Sequence, residues 1–465
     1  MAKGFALALV MSASMNPVSA QGSGMTGPIK TYFLNALTER QKAVDADVKA
    51  FVRNEAGDTP IRGNVKAKDI DSYTKLVWEA WREANRALQE DTLVRCDELS
   101  KGTAGSWTLP ESLEPDARMP YYYGYKGEAK KALPLFLYLH GSGPKEQEWK
   151  AGFRLGGMFD DAPSLYFIPR IPNEGDYYRW WQLSKQYAWE KLLRLTLASG
   201  EADANRLYVF GISEGGYGSQ RLASFYADYW AAAGPMAGGE PLKNAPVENC
   251  ANIGFSFLTG ADDMGFYRNV LTYFTQTAFD SVQLARPLSV DGRPLFMHRI
   301  HLMPGMQHAI DYSLTTPWLK RFVRRPYPKT VLWEDFEMDG RHRSGFYNLQ
   351  VLARPSAERT YYAMDIDGNT IRLDISDVRY TAVMTDPQWG IQMKFSRSYS
   401  QAHGGRLRIY LCRQLVDLSK PVVVVVNGKE VFRGMVKADL KDMVNSCMEY
   451  FDPERVYPAS VEVAY

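Results

Sequence analysis

Cysteine and histidine are scarce in this chain: four and six among 465 residues. Cys96, Cys250, Cys412 and Cys447 are too few and too scattered for a disulfide-built scaffold, and their spacing resembles no zinc-binding pattern. If a disulfide forms, Cys412 and Cys447, both C-terminal, are the expected pair; buried free thiols are the alternative. An excess of one charge is also lacking. The net charge of +2 gives no electrostatic reason to expect nucleic acid or an acidic surface as partner. No apolar run is long enough to span a bilayer. Internal repeats and low-complexity tracts are absent.

What is present is the composition of a folded protein: 45% hydrophobic and 23% charged residues, over a length that suggests two or three domains. Eleven Trp, 28 Tyr and 21 Phe supply a core, with enough left over to line a site for rings or sugars. The N-terminus reads as an address. Lys3 precedes a short apolar run, residues 5–15, and Val18-Ser19-Ala20 fits a cleavage site. Residues 1–20 are therefore expected to be a signal peptide, with export to the periplasm or the medium. No cysteine follows the run, so no lipid anchor is expected.

Residues 21–132 read as a helical N-terminal extension. Its clearest stripe is Tyr73, Leu76, Val77, Ala80, Trp81, Ala84 and Leu88, recurring at three and four. Over 133–325 the pattern becomes βαβ. Continuous apolar runs at 135–139, 164–168, 207–210, 253–258 and 295–302 suit strands covered on both faces, and helical stretches separate them. Function in such a sheet collects at the carboxyl ends of the strands. Residues 326–465 read as a β-sandwich-like domain of short alternating strands, with Asn427-Gly428 as a tight hairpin turn and 325–328 as a linker.

The chemistry is carried by four loops. Gly211-Ile212-Ser213-Glu214-Gly215 fits G-x-S-x-G between a strand and a helix, the setting of a nucleophile elbow. Ser213 is the expected nucleophile. A hydroxyl is a weak nucleophile and needs a base. Among the later histidines, His298 and His301 fall within an expected strand, and His342 and His403 lie in the last domain. His308 follows the last strand of the βα region and is the expected base. Thr259-Gly-Ala-Asp262-Asp263 offers two carboxylates after the preceding strand; Asp263 is preferred to Asp262 as the group that orients the histidine. His140-Gly141-Ser142-Gly143 ends the first strand, where an N–H of Ser142 or Gly141, with that of Glu214, would face a tetrahedral oxyanion. The Glu214 side chain is expected to be a solvated carboxylate at the helix start rather than a substrate contact. Residues 169–181, rich in aromatics, are expected either to shape the pocket or to pack on themselves, with Arg179 placed to meet a carboxylate.

Over about 133–325 the HGSG, GISEGG, TGADD and GMQH loops resemble those of the α/β hydrolases, in particular secreted feruloyl-esterase and polyhydroxybutyrate-depolymerase-like esterases, bordering the prolyl-oligopeptidase-type hydrolases. The resemblance implies an α/β-hydrolase fold and a Ser213-His308-Asp263 triad. It also implies Ser142 and Glu214 as oxyanion donors, no metal or organic cofactor, and a small or polysaccharide-linked ester as substrate. Two other readings stand beside it. One is a serine peptidase, although a short helical N-terminal region leaves no room for propeller blades. The other is a glycan-binding protein whose hydrolase domain is inactive.

Overall fold

The computed structural model describes residues 24–53, 57–88, 92–355 and 359–465. The expected signal peptide lies outside the described residues. Among the described residues no helix is long and apolar enough to cross a membrane.

A nine-stranded sheet organises the first two thirds of the chain. Its strands are β1 (Asp97–Glu98), β2 (Ala104–Thr108), β3 (Arg118–Lys126), β4 (Leu133–Leu139), β5 (Ser164–Pro169), β6 (Ala202–Ile212), β7 (Ala232–Met236), β8 (Gly254–Gly260) and β9 (His298–Met303). The order is β1-β3-β5-β4-β6-β7-β8-β9, with β2 on β3. From β5 to β9 every neighbouring pair is parallel, while β3 runs antiparallel to β5. β4, β5 and β8 are buried at every position, as their continuous apolar runs require, and β7 is buried throughout as well.

The N-terminal region is not wholly helical. Helices α1 (Thr26–Ala46), α2 (Val48–Arg53) and α3 (Ile70–Ala87) end before residue 88, and residues 97–126 then add β1, β2 and β3 to the edge of the central sheet. These strands escape a search for continuous apolar runs because β3 alternates between buried and less buried positions. Val77, Ala80, Trp81 and Ala84 of the α3 stripe are buried, and Tyr73, Leu76 and Leu88 are partly buried against the same core; Phe33 of α1 meets Trp81 edge-on, with ring centroids 5.1 Å apart.

After β4 come helices α4 (Lys145–Met158), α5 (Leu183–Ser199), α6 (Glu214–Phe225), α7 (Arg268–Ala285) and the short α8 (Thr315–Leu319). The C-terminal third contains two sheets. One has the order β10 (Thr330–Asp335), β13 (Thr360–Asp367), β14 (Thr370–Thr385), β17 (Val422–Val426) and β18 (Lys429–Gly434), with β15 (Gln392–Gln401) paired to β14. The other is β11 (Gly345–Phe346), β12 (Leu349–Ala353), β16 (Arg406–Leu411) and β19 (Ala459–Ala464). Trp333 of the first sheet stacks on Phe346 of the second at 5.3 Å, so the sheets share a core. Asn427 and Gly428 take positive φ, 48° and 78°, as the hairpin turn requires. This module is β-rich rather than all-β, because α9 (Leu440–Tyr450) also belongs to it.

The three regions are not separate beads. One hydrophobic core runs from α1 and α3 through the central sheet into both C-terminal sheets. The N-terminal segment braces the two ends: Arg82 donates to the Ala198 carbonyl at the end of α5, and the Thr59 amide donates to Asn445 of α9. A buried charge network closes the other side. Asp228, after α6, accepts from Arg343 and Arg455, and Asp452 accepts from Arg455 (2.7 Å) and Arg324 (2.5 Å). The expected linker at 325–328 is thus a packed connection beside this network, with the Tyr327 hydroxyl bonded to the Glu454 carbonyl.

All four cysteines are free, and the expected Cys412–Cys447 disulfide is not made. Cys250, Cys412 and Cys447 are buried and pack as small apolar side chains. Burial pushes the Cys250 and Cys412 thiols up to about 12.

Candidate active site

The end of β6 and the start of α6 enclose Ser213. Its φ and ψ are 57° and −116°, a strained conformation for a non-glycine residue and the one that lifts the hydroxyl clear of the sheet. The turn leaves no space on its inner side: a Cβ on Gly215 would collide with the Leu139 carbonyl oxygen. The loop after β4 also approaches tightly, since a Cβ on Gly141 would stand 3.3 Å from that of Ser213.

Ser213 Oγ lies 3.0 Å from His308 Nε2, and His308 Nδ1 lies 2.8 Å from Asp263 Oδ2. With Asp263 ionised, Nδ1–H donates to the carboxylate and Nε2 is left to accept from the serine hydroxyl. The acid and base loops are tied by backbone hydrogen bonds, Ala261 N to Met303 O and Asp262 N to Met306 O, both 2.9 Å. Asp263 is 3% exposed, whereas its neighbour Asp262 points outward.

The other histidines have different surroundings. His298 bonds Phe296 O and Asp280, and His342 bonds Asp335; His301 and His403 are exposed. His140 is fully buried. The Ile171 amide donates to its Nε2, so Nδ1 carries the proton and donates to the Gly141 carbonyl. Burial pushes its imidazole down to about 4, which keeps it neutral as a brace for the loop.

Ser142 lines the same cavity as Ser213 and Glu214. Glu214 opens α6, so its N–H has no acceptor within the helix. The Tyr178 hydroxyl fixes the Ser142 loop, donating toward Gly141 O (2.9 Å) and Gly143 O (3.0 Å). The 169–181 segment therefore divides its work. Tyr178 and Trp180 are buried and hold the loop, Trp180 through a 2.9 Å bond to His140 O, while Arg179 and Trp181 line the cavity.

The Glu214 side chain departs from expectation. It is not a solvated carboxylate: the residue is 9% exposed, lines the cavity, and lies 3.5 Å from Arg179. Burial pushes its carboxyl up to about 7, a rise that Arg179 reduces and Glu240 reinforces. The carboxylate that Arg179 meets is thus the protein's own.

Two contributors were not visible in the motifs. Arg268, at the start of α7, donates to both oxygens of Asp263. Burial by itself would raise the Asp263 carboxyl; the bonds from Arg268 and His308 outweigh it and hold the group below the usual carboxylate range. The local signal was an arginine five residues after the acid. The second contributor is the β14–β15 hairpin, which brings Ile391, Gln392 and Phe395 to a cavity of about 480 Å³ over Ser213. Its signal was the alternation Phe395-Ser-Arg397-Ser-Tyr399-Ser, but nothing local says which surface the large side chains meet.

A hydroxyl, an imidazole and a carboxylate joined in this order can move a proton off the hydroxyl. No protein-family model matches the chain, and no curated protein matches it. Among solved structures, a thermostable esterase aligns at 18% identity and TM-score 0.37, over 49% of this chain and 64% of that one, less than two thirds of its length. The poly(3-hydroxybutyrate) depolymerase LpqC from Bordetella parapertussis aligns at 16% and 0.34, over 45% of this chain and 86% of that one. A CE1 ferulic acid esterase from Anaeromyces mucronatus aligns at 12% and 0.35, over 47% and 89%. The strand order and the elbow described above give the chain its resemblance to the α/β hydrolases.

Proposed function

We propose that the protein is an exported serine hydrolase of carboxylic esters, working through Ser213, His308 and Asp263. The observation that carries this reading is the unbroken chain from Ser213 Oγ through His308 to Asp263, at 3.0 and 2.8 Å. Ser213 Oγ attacks the ester carbonyl carbon while His308 Nε2 takes its proton. The resulting oxyanion is held by the N–H groups of Ser142 and Glu214. Collapse of this intermediate breaks the bond to the alcohol oxygen, which leaves with the proton from His308. Water, deprotonated by His308, then attacks the acyl-Ser213 ester and releases the acid. Asp263 stays ionised throughout, orients the imidazole and stabilises its cation. Esters on polysaccharide, such as feruloyl or acetyl groups, are within this reading. The cavity volume is of the size that holds a small organic ligand.

A substrate panel tests it. Turnover of p-nitrophenyl acetate and methyl ferulate is expected to exceed that of a peptide p-nitroanilide, and Ser213→Ala is expected to lower ester kcat by at least about 10⁴-fold. Preference for the anilide would favour a peptidase. Ester turnover that survives Ser213→Ala would reject the triad.

A further inference from the structure

We propose that the β14–β15 hairpin is the specificity wall of the active site, seating the apolar part of the ester, chain or ring, against Phe395 and Ile391. This rests on the ester-hydrolase reading above and adds what selects the substrate.

The hairpin leaves its own sheet. The pairing of β13 with β14 stops at Thr360–Asp377, yet β14 and β15 stay paired out to Thr385 and Gln392. A two-stranded ribbon of this kind is marginal alone and needs a surface to lie on. That surface is the catalytic domain. Residues two apart on a strand share a face, so Phe395 and Arg397 point the same way. Arg397 pairs with Glu248 of the catalytic domain at 2.7 Å, which turns Phe395 toward the cavity that it lines. Val383, left unpaired at a register shift in β14, is 57% exposed and is not among the residues that line the cavity.

The tip is clasped as well. Trp389 packs on Phe266 with ring centroids 5.0 Å apart, and the Tyr267 hydroxyl donates to the Asp386 carboxylate. Phe266 and Tyr267 both hold positive φ, 50° and 57°, which non-glycine residues rarely adopt. They lie between Asp263 and its partner Arg268, so the acid's own loop carries the anchor for the ribbon. The cavity is accordingly two-sided. Arg179 and Glu214 face it from the catalytic domain; Ile391 and Phe395 face it from the ribbon. An apolar group entering beside Ser213 meets Ile391 and Phe395 on the ribbon, opposite Trp181, Tyr217 and Leu271 of the catalytic domain.

The test compares the ratio of kcat/KM for p-nitrophenyl hexanoate over p-nitrophenyl acetate, and for hexyl over methyl butanoate. These pairs vary the acyl and alcohol sides in turn. Phe395→Ala and Ile391→Ala are each expected to lower one of the two ratios at least fivefold, while Val383→Ser, away from the cavity lining, leaves both within twofold. In parallel, binding of hexyl butanoate and p-nitrophenyl hexanoate to the Ser213→Ala protein is measured by calorimetry. Adding Phe395→Ala is expected to weaken binding of one of them at least fivefold. If no ester is turned over but this loss of binding appears, the hydrolase reading fails and the wall stands. Unchanged or increased ratios with unchanged binding, no binding at all, or an equal loss in Val383→Ser would each overturn the wall.

Discussion

Arg268 grips both carboxylate oxygens of Asp263, Nε to Oδ2 at 2.8 Å and Nη2 to Oδ1 at 2.5 Å, while His308 shares Oδ2. The acid of the proposed triad is thereby fixed in orientation and kept ionised. Arg268→Met removes two charge-assisted bonds from a carboxylate that is 3% exposed. The sign is set by the pairing: Asp263 is held low, so losing Arg268 lets it protonate at higher pH. The acid limb of the kcat/KM profile is expected to move upward in pH, with a loss of about 10- to 100-fold at neutral pH and partial rescue by Arg268→Lys. A pH–rate profile of the three proteins checks this.

Glu214 gives a different pH signature. Its carboxyl is raised to about 7 in the folded protein by burial, against an ordinary value of 4.5. A raised acid disfavours the charged form in the fold, so its cost is absent below 4.5, grows as pH rises toward 7 and then levels off. Relative to wild type, Glu214→Gln should gain stability across that window, by at most about 3 kcal/mol. Urea unfolding of both proteins from pH 4 to 8 measures the difference. A constant offset would show that the carboxyl does not titrate there.

The buried network of Asp228, Arg343, Arg455, Asp452 and Arg324 joins the catalytic region to the C-terminal module. Removing one partner leaves an uncompensated buried charge. Asp228→Ala is expected to cost about 3–5 kcal/mol. Because the core is continuous, urea unfolding should remain a single transition. Two separated transitions would show that the regions fold independently.

Free cysteines make a chemical prediction. A thiol reagent in denaturant should count four thiols per chain without prior reduction. In the folded protein Cys250, Cys412 and Cys447 should be protected by burial, leaving the half-buried Cys96 to react slowly.

Much of this architecture is legible in the sequence where residues speak locally. Leu-Pro-Leu-Phe-Leu-Tyr-Leu at 133–139 is apolar throughout because helices cover both faces of β4. Ser213 is readable because the elbow needs small residues around it, and His308 because the base loop follows the last parallel strand. What resisted reading depends on distant partners. β7, Ala-Ala-Gly-Pro-Met, has little strand propensity and is held by its two parallel neighbours. β3 shows alternation because it lies toward an edge of the sheet. Glu214 looks like a solvated helix-start residue until the fold sets it in the cavity wall beside Arg179. Phe395 lies 87 residues beyond His308, the triad member nearest to it in sequence, and only the fold brings it to Ser213.

The most direct test of the central claim is covalent. The purified protein is treated with a fluorophosphonate, and the intact mass and the labelled peptide are read by mass spectrometry. One label per chain, on Ser213, is predicted, with none on Ser213→Ala and labelling slowed at least about 10³-fold in His308→Ala. Undiminished labelling of the Ser213→Ala protein, or a label on another residue in wild type, would contradict it.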